Sequence, residues 1–167
     1  AGGHLASMAV TKCDLGESET TDPIQRQSSR PNFAILVYPV ITMSEGTHKG
    51  SRRNLLGSEP SDDLIKLYSN ELHITKRTPP TYLAHAIDDY VVPASNSEKF
   101  HKALSETNVV SKYLPLPRGG HGLNGYKGPM WDAWQAQSMG WLDQLLNHHP
   151  KNRPDGDQNL IWPGLES

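Results

Sequence analysis

Two short segments carry the residue types that could do acid–base chemistry. The first, residues 78–93, places Asp88 and Asp89 directly after an apolar, β-prone stretch at 82–87. The second is Arg118-Gly-Gly-His-Gly122, which follows the next strand-like stretch along the chain. In an open parallel sheet, binding sites form at the carboxyl ends of the strands. The two segments therefore predict a carboxylate and an imidazole that meet at one edge of a sheet.

The imidazole is that of His121, and the carboxylate belongs to one of two adjacent aspartates. A hydrolase that attacks through a nucleophile needs a base within hydrogen-bond reach and an acid that orients the base. His121 stands between glycines, which allow a tight loop to project its ring. By spacing alone, Asp88 could shape the turn while Asp89 orients His121, or the two could exchange roles. Each could also be an ordinary turn residue, but the order of an acid loop followed by a histidine loop favours a catalytic pair.

Three stretches have the composition of β-strands. The run 32–41 is continuously apolar, which is typical of a parallel strand buried on both faces. Residues 82–87 and 109–116 are also strand-like, and residues 42–60, with three glycines, are expected to form a loop. Helical stretches separate the strands, and this alternation predicts right-handed crossovers and a parallel sheet. The predicted fold class is α/β with about three parallel strands alternating with helices.

Four stretches have helical spacing or helix-capping residues. Residues 2–12 carry an apolar face that begins with Leu5. Ser61, followed by two aspartates, has the residue type of an N-cap with acids in the first turn. Ser95 lies three residues before a glutamate, which is the spacing of a capping box. Pro129 suits the first turn of a last helix that ends at about residue 146.

Length and composition exclude several classes of protein. The 167 residues are enough for one domain with a real core, and a net charge of −2 gives no reason to expect a nucleic-acid partner. No apolar run approaches the roughly 20 residues that span a bilayer. Cys13 is the single cysteine and no His, Asp or Glu cluster has ligand spacing, so neither a metal nor another cofactor is expected. We expect residues 1–146 to form the domain and the polar residues 147–167 to form a tail.

Several blocks of the sequence resemble those of a known enzyme family. The first is Ala1-Gly-Gly-His-Leu-Ala-Ser7, which looks like the segment after the nucleophile in the Gly-x-Ser-Ala-Gly-Gly-His-Leu-Ala elbow of α/β-hydrolase esterases. Residues 31–43, with Tyr-Pro-Val-Ile, resemble the strand after that elbow, and residues 48–57 resemble the next loop. Residues 78–93 and 118–122 resemble the acid and histidine blocks. The similarity is to the acetyl-xylan-esterase-like branch, related to hormone-sensitive-lipase-like enzymes.

The resemblance implies the C-terminal half of an α/β-hydrolase fold, and a carboxylic ester hydrolase that acts on small acyl esters, with acetylated carbohydrates among them. In the family pattern Asp-x-x-Val-Pro, the acid falls on Asp89, so Asp89 and His121 are the implied catalytic residues. The serine would precede Ala1, whose backbone amide would be an oxyanion-hole donor compromised here by its free terminus. The resemblance therefore implies that this chain lacks its nucleophile and is inactive alone.

Two other functions fit the same residues. Serine peptidases of the prolyl-oligopeptidase type share the acid and histidine blocks. A truncated fold could instead be a binding module without catalytic activity. In every case a narrow sheet would leave an exposed edge, which could pair with a second copy of the chain or with a missing N-terminal segment.

Overall fold

The computed structural model describes residues 1–148 of the chain and shows a parallel sheet of three strands. The strands are β1 (Ala34–Val37), β2 (Thr81–Ala86) and β3 (Ser111–Leu116). Their order in the sheet is β1-β2-β3, so β2 is central. The register places Ala34 and Ser111 on either side of Thr81. The predicted class, α/β with three parallel strands, is confirmed.

Helices and one 3₁₀ turn connect the strands. The final helix begins at Pro129, as the sequence predicts, and continues to the last described residue. The predicted tail therefore lies mostly outside the described residues. The elements are α1 (Gly2–Thr11), α2 (Lys49–Leu56), α3 (Asp62–Tyr68), the 3₁₀ turn (Asn70–His73), α4 (Ser95–Glu106), the single turn α5 (Leu123–Tyr126) and α6 (Pro129–His148).

The central strand is the middle layer of the core, because all six of its residues are buried. Tyr82 and the two alanines that alternate with it pack with Trp141 and Leu145 of α6. On the other face, Leu83 packs with Phe100 of α4 and with α1. Each such large apolar side chain contributes roughly 1.5–3 kcal/mol through burial. The loops after β2 and β3 therefore start from strands that are held in a packed core.

Helix α1 buries two polar residues together with Val10, whereas the sequence predicts an apolar face. Leu5 is 69% exposed, whereas His4 and Ser7 are buried. The His4 ring bonds the backbone oxygen of Tyr68 at 2.8 Å, and the amide of Asn70 donates to Ser7 Oγ at 2.7 Å. The predicted apolar face is wrong for Leu5 and agrees for Val10, which is buried. Polar residues are buried beside Val10 because partners near the end of α3 satisfy their hydrogen bonds.

The stretch predicted as a loop at 42–60 contains helix α2. Its N-cap is His48, whose ring accepts from the amide of Ser51 at 3.2 Å. Gly57, with φ of +88°, ends the helix. Histidine is outside the usual set of N-cap residues, so no residue here indicates the start of a helix.

The two predicted caps differ in outcome. Ser61 caps α3, accepting from the amide of Leu64 at 3.3 Å, as its position predicts. The capping box at Ser95 is wrong, because the N-cap of α4 is Ala94 and no side chain bonds there. The hydroxyl of Ser95 thus lies one residue too late in the helix to cap it.

Strand β1 is only partly buried, although its composition predicts a strand covered on both faces. Leu36 is buried, but Ala34, Ile35 and Val37 are intermediate. The cause is position, because β1 lies at the edge of the described sheet and pairs with β2 on one side.

Candidate active site

The loop after β2 organises itself around the carboxylate of Asp89. This residue is 4% exposed, and its amide bonds the oxygen of Ala86 at 3.2 Å. Its Oδ1 accepts from the amides of Val91 and Val92, each at 2.9 Å. One carboxylate oxygen is thereby committed to the turn, and Oδ2 is left to face the neighbouring loop.

The loop after β3 brings His121 to that second oxygen. The distance from His121 Nδ1 to Asp89 Oδ2 is 2.8 Å. Because a carboxylate only accepts, Nδ1 carries the hydrogen and Nε2 of a neutral ring is the acceptor nitrogen. The His121 side chain is 36% exposed, whereas that of Asp89 is wholly buried. His121 is therefore a partly exposed base whose ring is oriented by the buried carboxylate of Asp89.

Asp88 fastens the two loops together. Its Oδ1 accepts from the amide of Gly120 at 2.8 Å, and its Oδ2 from that of Gly119 at 3.2 Å. These bonds, the one from Gly120 foremost, lower the pKa of Asp88 below its ordinary value of 3.8. The structure thus separates the two aspartates that spacing alone left interchangeable, with Asp89 on the imidazole and Asp88 on the backbone beside it.

Three glycines lie in the histidine loop, the segment after β3 that carries His121, and their backbone conformations favour glycine. The φ angles of Gly119, Gly120 and Gly122 are +129°, +56° and +92°. A Cβ on Gly119 would also lie 3.2 Å from the Cα of Leu123. The loop therefore needs glycine at position 119 for both its backbone angle and its close approach.

The left-handed conformation continues through α5. Leu123, Asn124 and Tyr126 have φ of +48°, +63° and +66°. Such conformations cost roughly 1–2 kcal/mol for an ordinary L-residue. Backbone bonds from Asn124 to Gly119 and from Tyr126 to Gly122, each 2.8 Å, hold the turn, and the Leu123 side chain is fully buried. The core thus anchors the segment two residues after His121.

Tyr38 is a site neighbour that the sequence reasoning missed. It follows β1 with φ of +40°, and its ring lies 4.8 Å from that of His121 at an interplanar angle of 63°. Burial raises the pKa of its hydroxyl, which stays neutral. No local signal identifies it, because the contact joins residues on two different strand ends.

His85 is the second residue that was missed. It is fully buried on β2, with Nε2 3.3 Å from Asp89 Oδ2. Its Nδ1 lies 2.8 Å from Ser97 Oγ, and its Nε2 2.9 Å from the oxygen of Val92. A histidine inside a buried strand, four residues before an aspartate, is the signal that could have identified it.

Ala1 is the N-cap of α1, and its carbonyl accepts from the amides of His4 and Leu5. A Cβ on Gly3 would lie only 2.6 Å from the Cα of Pro39, so the first turn of α1 contacts the residue after Tyr38. This contact places the start of α1 next to the strand end that touches His121. The amide of Ala1 remains a predicted oxyanion donor.

Two features are absent from the part of the chain that the structure describes. Within residues 1–148, no three His, Cys, Asp or Glu side chains are grouped to hold a metal ion. In the same range no helix is long and apolar enough to cross a membrane. The geometry of the pair suits proton uptake and return by His121, with Asp89 orienting its ring.

The sequence is similar to that of two carbohydrate-related enzymes and matches one family. Residues 1–104 match BD-FAE. The chain is 38% identical over 137 residues to endo-1,4-beta-xylanase B of Butyrivibrio fibrisolvens, covering 81% of this chain and 21% of that protein. It is 36% identical over 160 residues to the acetylxylan esterase of Xylanibacter ruminicola, covering 93% of this chain and 30% of that protein.

The structure is similar to that of an acetyl ester-xyloside bifunctional hydrolase from Caldicellulosiruptor lactoaceticus. The TM-score is 0.82 at 37% sequence identity, and the match covers 87% of this chain and 54% of that one. The chain therefore spans about half of this solved structure, and less than a third of each of the two curated relatives.

Proposed function

The chain belongs to the BD-FAE family and has part of an α/β-hydrolase fold, and we propose that it forms the acid–base half of a carboxylic ester hydrolase. The observation that carries the proposal is the 2.8 Å bond between His121 Nδ1 and Asp89 Oδ2. The acid is buried and fixed by two amides, while the base is partly exposed. A base held in one tautomer, with its other nitrogen available, suits proton transfer from a nucleophile.

In this proposal the nucleophile is a serine in a segment outside the 167 residues. His121 Nε2 takes the serine proton as the serine oxygen attacks the ester carbonyl. Asp89 holds Nδ1–H and stabilises the imidazolium, which then protonates the leaving alcohol. Water repeats the attack on the acyl-enzyme. In the longer protein a peptide bond joins Ala1 to the serine, and the amide of Ala1 donates a hydrogen bond to the oxyanion that forms from the ester carbonyl.

The proposed substrates are small acyl esters, with acetylated carbohydrates as the preferred class. Support comes from the two similar proteins described as an acetylxylan esterase and an acetyl ester-xyloside hydrolase. The acid–base chemistry of Asp89 and His121 is complete with a serine, so the proposed reaction uses neither a metal nor another cofactor.

The free edge of β1 is the proposed contact for the segment that carries the nucleophile. Ala34, Ile35 and Val37 are only partly buried there, so a further strand would cover apolar side chains and pair exposed backbone groups. Pairing with a second copy is the competing arrangement. Native mass spectrometry of the 167-residue chain tests copy pairing, because a dimer supports it and a monomer counts against it.

The test is hydrolysis of p-nitrophenyl acetate by the 167-residue chain and by a polypeptide extended upstream through its reading frame. We expect little activity from the shorter chain and serine-type activity from the longer one. His121→Ala in the longer protein should lower kcat by about 10⁴-fold. Serine-type activity in the shorter chain that His121→Ala abolishes would place the nucleophile inside it. Faster turnover of a peptide than of the ester would indicate a peptidase.

A further inference from the structure

A second histidine contacts the proposed catalytic acid from inside the fold. His85 lies on the face of β2 that is covered by α4, and none of its surface is exposed. Its ring bonds Ser97 of α4 and the backbone oxygen of Val92, and its Nε2 lies 3.3 Å from Oδ2 of Asp89. One imidazole therefore joins the strand, the helix and the turn that carries the acid.

The partners of His85 determine where its hydrogen is. The carbonyl of Val92 can only accept, so Nε2 carries the hydrogen, and Nδ1 accepts from the hydroxyl of Ser97. Burial lowers the pKa of His85, so the ring is neutral. The hydrogen on Nε2 is then directed at Val92, 2.9 Å away, and the same nitrogen lies 3.3 Å from Asp89 Oδ2.

We infer that His85 is a positioning residue for Asp89, holding Oδ2 where it meets Nδ1 of His121. This inference rests on the proposed function. Two amides fix Oδ1, but they leave the carboxylate free to swing Oδ2 about that anchor. His85 opposes the swing from the buried side, while His121 bonds the same oxygen from the surface side. When His121 becomes charged and shifts during proton transfer, His85 keeps the acid in place.

The competing role is purely structural, because the same ring also ties β2 to α4 through Ser97. Both roles use the hydrogen on Nε2, which also donates to Val92. They differ in their readout, since a purely structural role lowers the thermal midpoint of unfolding, whereas positioning lowers kcat. Glutamine in place of His85 can present an amide N–H near the Nε2 position. Methionine has similar length but no donor.

The experiment compares His85→Gln and His85→Met in the protein used for the ester assay, measuring kcat, KM and the thermal midpoint. We expect His85→Met to lower kcat by about 10- to 100-fold with KM within about twofold, since a small displacement near the reacting atoms costs about that much. His85→Gln should retain kcat within about fivefold of the parent. The matched control is His101→Met, which removes a histidine bonded to Ser111 Oγ at 3.0 Å, away from Asp89, and should leave kcat unchanged.

Equal losses in the two variants, or a parental kcat in His85→Met, would overturn the inference. A measurement on the unsubstituted protein tests it independently of how the variants fold. Imidazole ¹⁵N NMR should show hydrogen on Nε2 of His85, and hydrogen on Nδ1 would overturn the inference because Asp89 would then have no donor from this ring. If His121→Ala retains turnover, the proposed function fails. If His121→Ala removes turnover and His85→Met does not, only the positioning role fails.

Discussion

The two loops that meet at the candidate site are held by different means. In the acid loop, side-chain acceptors fix the backbone, since both oxygens of Asp89 are hydrogen-bonded. In the histidine loop, backbone conformation fixes the side chain, and every residue of 119–126 except His121 has positive φ. The acid loop should therefore respond to changes of charge and hydrogen bonding. The histidine loop should respond to changes of backbone freedom.

The largest expected effect comes from the acid loop. In Asp89→Asn, the remaining oxygen can still accept from Val91 and Val92, but the amide nitrogen faces His121 and favours the wrong tautomer. We expect kcat for p-nitrophenyl acetate in the extended protein to fall by about 10³- to 10⁴-fold. Circular dichroism should show an unchanged fold, and a loss below tenfold would contradict the assigned acid.

The histidine loop should show its largest response in stability. Gly119→Ala adds backbone strain and a contact with the Leu123 backbone, and we expect a loss of about 1–3 kcal/mol in the free energy of unfolding. The matched control is Gly57→Ala, at φ of +88° with no atom within 4 Å of the added Cβ. It carries strain alone, so urea denaturation should give it the smaller loss. Equal losses would show that the contact has no effect.

The hydrogen bonds from the amides of Gly119 and Gly120 to Asp88 should weaken as the pH falls. The folded-state pKa of Asp88 is below the ordinary 3.8, so its stabilising contribution is present above pH 3.8 and disappears as pH falls through the lower folded value. Asp88→Asn should therefore flatten the acid limb of the thermal midpoint measured from pH 6 to pH 2. Asp143→Asn, an exposed carboxylate bonded to Asn147, is the control. A parental acid limb in Asp88→Asn would assign that limb to other groups.

The smallest effect should be a gain in stability. Asn124 has a left-handed φ of +63°, which glycine adopts without a steric cost. We expect Asn124→Gly to raise the free energy of unfolding by less than about 1 kcal/mol, with kcat unchanged. Urea denaturation measures the change, and a clear destabilisation would show that the Asn124 side chain does more than tolerate the turn.

Local patterns predicted the parts of the fold that depend on neighbouring residues. Strands β2 and β3 and helix α6 have compositions that point to one structure, and the loops follow from Gly, Pro and Asp. The order of Asp89 and His121 along the chain predicts that they meet, since parallel strands place their carboxyl ends together. Their distance of 2.8 Å agrees with that expectation, and their catalytic roles remain a proposal.

The parts that the sequence did not predict depend on distant partners. Ser7 of α1 can be buried because Asn70, over sixty residues away, donates to it. No pattern within a short window contains that pair, so helix propensity could not rank Ser7 above Leu5 as the buried residue. His85 is different, because its partners Val92 and Ser97 are seven and twelve residues away, and the aspartate four residues after it was a local signal that the prediction did not use.

The contact between Gly3 and Pro39 has a consequence for protein engineering. Pro39 follows Tyr38 along the chain, and the Tyr38 ring packs against that of His121, so the start of α1 is linked to the imidazole through residues 38 and 39. A Cβ at position 3 would overlap Pro39, so alanine there would displace either α1 or the segment that carries Tyr38. A fusion or redesign at the start of α1 therefore has to keep glycine at position 3, where the backbone packs closely on Pro39.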